Sequence, residues 1–237
     1  GLALNYENNG WVAGLQYVCD IATCVKGNPS DPDGGGIAAD NSNGVGTVQL
    51  GYQAEQWGIA AVYSWLQNPS LLPYATAYTN LSYAQENDNI DMSLNAFALS
   101  AYWQPEETGW IPAISAGWGL NSTNFNGSDD VPDAFVSTSQ SWQVALHWDD
   151  AFIQGNTAGM AVGQATFATA LKGGETPYDG NYVWEWFYGF QVTDNVTLTP
   201  ALFYLSRPLG QLSFDGEQGK DGTYSQFGGL LRTTFTF

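Results

Sequence analysis

Basic side chains are almost missing: five Lys and Arg stand against 23 Asp and Glu, with one histidine, for a formal net charge of −18. Nothing in such a chain neutralises a run of phosphates, which excludes nucleic acid as a partner. The basic patch that would hold an anionic membrane surface is missing too. The field of so acidic a chain attracts cations. Charge of either sign is scarce, at 12% of residues, about half of the usual quarter. No run approaches the ~18 consecutive apolar residues of a membrane helix. No signal peptide opens the chain; Gly1 begins directly in a strand-like pattern, as expected of a trimmed precursor that has lost its signal and further residues with it.

Cysteine is nearly absent as well. Cys19 and Cys24 lie close together at the start of a polar, Gly/Pro-rich stretch. They read as a disulfide closing a small loop, which implies an oxidising compartment, with two free thiols as the plain alternative. A metal site would need two more soft ligands nearby, and the sequence offers none.

Aromatics and glycine are abundant: ten Trp, thirteen Tyr, twelve Phe and 28 Gly. Between the glycines, apolar residues alternate with polar or small ones. Trp11, Ala13, Leu15 and Tyr17 share one face of their segment and Val12, Gly14 and Gln16 the other; Thr47 to Gln53 and Ser141 to Trp148 repeat the pattern. Period two means β-strand. Strands are expected near 1–7, 11–18, 45–53, 57–66, 90–104, 110–121, 138–149, 156–169, 181–193, 195–206 and 224–237.

The breaks between these strands alternate in length. Short ones fall at Glu7–Gly10, Ala54–Gln56, Pro105–Gly109, Asp150–Gly155 and around Asp194; long ones run over about 19–44, 67–89, 122–137, 170–180 and 207–223. A soluble sandwich has no reason to keep that rhythm. An outer-membrane barrel does, with short periplasmic turns and long external loops. In strand 181–193, Tyr182, Trp184, Trp186, Tyr188 and Phe190 share a face suited to lipid, while Val183, Glu185, Phe187, Gly189 and Gln191 share the other. Strands 90–104 and 195–206 are ambiguous by this criterion. The chain ends in Phe237, and counting back in twos sends Phe235, Leu231 and Phe227 outward and Thr234, Arg232 and Gln226 inward. A terminal Phe on a last β-strand is a mark of outer-membrane proteins and reads as an assembly signal. About eleven strands is an odd number, whereas closed single-chain bacterial barrels have an even one; open edges in lipid leave backbone groups unsatisfied. Strands before Gly1 are therefore expected.

The run Gly228-Gly229-Leu230-Leu231-Arg232-Thr233-Thr234-Phe235-Thr236-Phe237 resembles the C-terminal end of cyanobacterial outer-membrane porins of the carbohydrate-selective porin family, often labelled iron-uptake porins. Gly155 to Gln164, Glu185 to Pro200, and Ala101-Tyr102-Trp103-Gln104-Pro105 followed by Gly109-Trp110-Ile111-Pro112 resemble the same family. The resemblance is good from about residue 90 onward and weak before it. It implies a sixteen-stranded barrel, usually a homotrimer, of which this chain supplies the last eleven strands. It also implies an N-terminal wall-gripping domain and a helical linker, neither of which lies in residues 1–237. The inward-folding loop that narrows general porins falls upstream of Gly1 on this reading.

Several residues stand out within that frame. Glu185 and Arg232 point inward and would tune ion selectivity; the alternative is an ion pair bracing the wall. Gln191, Gln143, Gln164, Gln49 and Gln16 are also read as inward, where amides meet solute hydroxyls or simply water. Arg207, near the external end of its strand, is a pore-mouth candidate. His147 is the single histidine and lacks the ordered nucleophile a catalytic base requires. Asp31, Asp33, Asp129, Asp130 and Asp133 make acidic loops; Ser122 to Asp133 lacks the first Asp and last Glu of a calcium loop, so solvated loops are the reading.

The expectation is an all-β transmembrane antiparallel barrel over residues 1–237, in a bacterial outer membrane, without cofactor, metal or covalent step. It would pass small hydrophilic solutes and inorganic ions passively, with cation preference. The partners expected are those solutes, outer-membrane lipid, two further copies in a homotrimer, and the cell wall through a domain outside this sequence. A sugar-selective porin, a barrel that mainly tethers membrane to wall, and a secreted all-β binding protein are the alternatives.

Overall fold

The computed structural model describes residues 1–19, 42–69, 72, 74–84, 92–107, 109–125, 131–213 and 224–236. Its strands are β1 (Leu2–Asn8), β2 (Trp11–Cys19), β3 (Gly44–Gln53), β4 (Trp57–Gln67), β5 (Met92–Trp103), β6 (Ala113–Phe125), β7 (Val136–Asp149), β8 (Thr157–Leu171), β9 (Tyr182–Thr193), β10 (Val196–Ser206) and β11 (Ser225–Phe235). They form one eleven-stranded sheet in sequential order, and the paired strands are antiparallel throughout. All eleven strands read from the alternation are present. The largest boundary differences are at β6, which runs on to Phe125 where an end near 121 is expected, and starts only at Ala113: Trp110 to Pro112 belong to the turn, and Pro112 has no N–H to give a ladder.

A sequential meander puts every second connection at the same end. The short turns close one end. Asn9 and Gly10, with φ of 49° and 82°, make the two-residue turn from β1 to β2, the mirror-type geometry that matches strand twist and that Asn-Gly adopts readily. Asp150, also left-handed, accepts the Gly155 N–H at 2.7 Å on its carboxylate in the turn from β7 to β8. The long connections gather at the other end.

Cross-strand register assigns every residue a face. One face carries Leu15, Leu50, Ile59, Leu99, Leu202 and Phe227, and Leu50, Ile59 and Leu99 remain 53%, 52% and 50% exposed. A continuous apolar surface spread over so many strands needs lipid, not water. The ambiguous strands are settled by register: Phe97, Leu99 and Trp103 share this face on β5, and Leu198, Leu202 and Tyr204 on β10. The opposite face is concave, because a hollow of about 380 Å³ is lined at once by Val12 of β2 and Gln143 of β7.

Strand length fits a bilayer. β4, β10 and β11 have eleven residues each and β5 and β9 twelve. At ~3.3 Å per residue and the usual barrel tilt, that spans roughly the ~25 Å apolar band of outer-membrane barrels.

The buried apolar cluster sits at the long-loop end. Leu72, Tyr83, Met92, Leu94, Phe135, Val136, Ala168 and Leu171 belong to it. Its centre is a helix, α1 (Ala77–Ala84), inside a stretch that sequence reading treats as plain loop. Eight residues are too few to be helical alone. Thr76 caps the start, its Oγ1 accepting the Thr79 N–H at 3.2 Å, and packing of Tyr83 and Ser82 does the rest.

Candidate functional site

The concave face is the candidate site. Register places Gln16 opposite Thr47, Gln49 opposite Gly14 and Val62, and Gln143 opposite Gly117 and Gly163. Glu185 lies between Ala161 and Phe203, and Arg232 opposite Thr199. All five are exposed on the concave side. Gln49 and Gln143 line one hollow together with Ser100, Tyr102 and Ser115. Gln191 shares this face at the short-turn end, where its backbone N–H reaches Asn156 Oδ1 at 2.9 Å.

One placement differs. Gln164 stands opposite Trp142 on the convex, aromatic face, and its Oε1 accepts the Trp142 indole N–H. Sequence reading sends it inward, yet the inward residues of β8 are Gly159, Ala161 and Gly163. The cause is packing: the Phe187 ring lies over Gly159 and needs a bare backbone there.

Glu185 and Arg232 do not form the bracing ion pair. Asp149 Oδ1 instead meets His147 Nε2 in a hydrogen bond of 3.1 Å. That pair sits on the concave face beside the β7–β8 turn, with the Phe187 ring 6.1 Å from the imidazole.

At the long-loop end the two described basic residues, Lys172 and Arg207, are engaged. Lys172 donates to the Val131 carbonyl at 3.0 Å and lies over the Phe125 ring. Arg207, at the end of β10 in a left-handed conformation, donates through Nη2 to the Tyr178 carbonyl. Desolvation lowers its pKa and Asp179 works in the opposite direction. Burial, then the charges of Asp179 and Glu175, raise the Tyr78 phenol.

Asp179 was missed by sequence reading. It is fully buried. Its Oδ2 accepts the hydroxyls of Thr76 and Thr79 and the backbone N–H of Ala168, each at 2.7 Å; Oδ1 accepts the Gln211 N–H at 3.0 Å. Four donors let a carboxylate stay buried. A lone Asp in a loop carries no periodic signal that would have found it.

Ser122 to Phe125 belong to β6 itself, and Thr123 Oγ1 hydrogen-bonds Tyr83 at 2.8 Å. Among the described residues no three His, Cys, Asp or Glu converge on a metal position. Asp31, Asp33, Asp129, Asp130, Cys24 and Phe237 lie outside the described residues, as do the contacts of Cys19 beyond the end of β2.

An antiparallel meander with lipid-suited aromatics outside and amides, small residues and a few charges inside has the make-up of a porin wall. Comparison with known proteins agrees. Residues 24–237 match the carbohydrate-selective porin, OprB family, and the chain belongs to that family, an outer-membrane one. It is 28% identical over 229 residues to the uncharacterised protein sll0772 of Synechocystis sp. (strain PCC 6803), covering 89% of this chain and 39% of that protein. It is also 28% identical over 168 residues to the uncharacterised protein alr4550 of Nostoc sp. (strain PCC 7120), covering 68% and 25%. The chain thus spans well under half of the curated relatives it matches. In fold it is similar to the Salmonella typhi OmpF porin solved with daunomycin, with a TM-score of 0.54 at 14% identity over 98% of this chain and 61% of that one.

Proposed function

We propose that this chain forms most of the wall of a passive diffusion channel for small hydrophilic solutes and inorganic ions, with preference for cations. The observation that carries this is the two-faced sheet: an apolar convex surface, and a concave one presenting Gln16, Gln49, Gln143, Glu185 and Arg232 to water. Chain-wide acidity favours cations. Sugars come second, supported by the family's description as carbohydrate-selective and by the amides of Gln49 and Gln143 in one hollow beside Tyr102.

Both lateral edges of the sheet lack a partner among the described residues. Unpaired edges are not tolerated in lipid, which supports closure by further strands, five if the barrel has sixteen. The long-loop end then faces outward. A homotrimer and a wall-binding domain elsewhere in the protein follow from the resemblance; crosslinking in detergent and peptidoglycan pull-down of the full-length protein test them.

The decisive experiment is planar-bilayer recording of the full-length protein in a salt gradient. Stable ohmic steps with a reversal potential on the cation side are expected. Absence of steps would overturn the channel reading in favour of a mainly structural barrel.

A further inference from the structure

We propose that residues 74–84, between β4 and β5, form a fixed partial occlusion of the channel mouth, and that Asp179 is the positioning residue holding them there. This rests on the channel reading above. The resemblance puts the constricting loop of general porins upstream of β1, so this is a different segment.

The argument starts at β8. It has fifteen residues, yet pairs with β9 only from Thr157 to Gly163. Beyond that point the edge that β9 leaves is filled otherwise. The Asn181 amide takes both backbone groups of Ala165, at 3.0 and 3.1 Å. Thr166 N–H donates to the Tyr74 carbonyl at 3.2 Å and its carbonyl accepts from Thr76 N–H at 2.8 Å, making a parallel bridge of Ala75 with Thr166. Ala168 N–H goes to Asp179.

Residues 74–84, which lie in sequence between β4 and β5, are therefore fastened to β8 and pack against β5, β6 and β7. Leu72 and Tyr83 are buried in one cluster with Leu94 of β5 and Val136 of β7. Tyr83 bonds Thr123 of β6, and Ser82 Oγ accepts the Val136 N–H at 2.9 Å. On the underside Thr79, Ser82 and Tyr83 are buried. On the other side Tyr74 is 91% exposed, with a left-handed φ of 59° that a bulky residue adopts only when its surroundings impose it. Leu81 is exposed too.

One carboxylate ties the arrangement together. Thr76 and Thr79 belong to the crossing segment, Asp179 to the connection from β8 to β9, and Gln211 to that from β10 to β11. Removing the carboxylate leaves two hydroxyls and two N–H groups without their acceptor, at the far anchor of the crossing.

The test is single-channel recording of the full-length protein with Asp179→Ala, and with Thr76→Val and Thr79→Val together in case the first variant does not assemble. An upward shift in unit conductance and faster liposome swelling by larger sugars are expected from both. A second pair, Ala75→Cys with Thr166→Cys, replaces the bridge by a disulfide. In the Asp179→Ala background its oxidation should return conductance to the wild-type value and reduction should raise it again. Wild-type steps with unaltered conductance in the assembled variants overturn the inference while leaving the channel intact, as does an oxidised crosslink that changes nothing. Absence of wild-type steps fells the channel reading and the inference together.

Discussion

The ring of Phe187 on β9 occupies the space that any side chain at Gly159 on β8 would need: a Cβ there would stand 2.2 Å from Phe187 Cε1. The two residues are register partners. Tyr102 over Gly58 and Phe203 over Gly228 repeat the arrangement, at 2.5 and 2.4 Å. Three inward-facing aromatics thus lie against the wall over a neighbouring strand's bare backbone, which keeps them out of the passage.

Gly159→Ala should lift the Phe187 ring away from the wall. The expected result is lower unit conductance and a loss of stability of about 1–3 kcal/mol from overpacking, read by recording and by heat-modified gel mobility. Adding Phe187→Ala should return conductance to at least the wild-type value; persistence of the defect would show that the glycine acts through backbone conformation instead.

Arg232 and Glu185 face the same space without pairing to each other. Arg232→Glu should shift the reversal potential further toward cation preference, and Glu185→Lys should shift it the other way. Neither should alter stability by more than about 0.5 kcal/mol, because both side chains are exposed. Equal selectivity in both variants would place the ion filter elsewhere.

Tyr83 is the most shifted phenol of the mouth. Burial pushes its pKa up from 10 to about 12, while the hydrogen bond to Thr123 pulls the other way. A folded-state pKa raised above the unfolded one means that stability is fully present below pH 10 and lost as pH rises toward about 12. The loss is on the order of 2 kcal/mol. In alkali the crossing segment should loosen and conductance rise. Tyr83→Phe should remove that pH dependence, at a cost of about 1 kcal/mol for the lost hydrogen bond; an unchanged alkaline profile in the variant would assign the effect to other groups.

Pairing of Cys19 with Cys24 is a proposal with a direct readout. Maleimide labelling of the denatured, unreduced full-length protein should leave both thiols unlabelled, and reduction should expose them. Labelling before reduction would establish free thiols.

Most of the sheet was legible because strand alternation is a local property. Trp184, Trp186 and Phe190 mark one face of β9 without help from any neighbour, and Asn9-Gly10 marks a tight turn by its own backbone preferences. β8 was not legible in the same way. Both of its faces are short of bulk or mixed, with Gly159, Ala161 and Gly163 against Met160, Val162 and Gln164, so the polarity of Gln164 sent the wrong face inward. The choice came from Phe187 and Trp142, on the strands to either side.

The mouth shows the same division. Thr76, Thr79 and Asp179 are 100 or more residues apart in the case of the carboxylate and its hydroxyl donors, and no spacing rule joins them. Alternating side chains, tight turns and the rhythm of short and long connections were determined by the sequence alone, because each depends on residues within one strand or one turn. Which face of β8 looks inward, where α1 lies, and that one buried carboxylate gathers three connections were decided only by tertiary structure. Those outcomes depend on which distant groups compete for the same backbone edge and the same buried space, and that competition exists only once the sheet has curled.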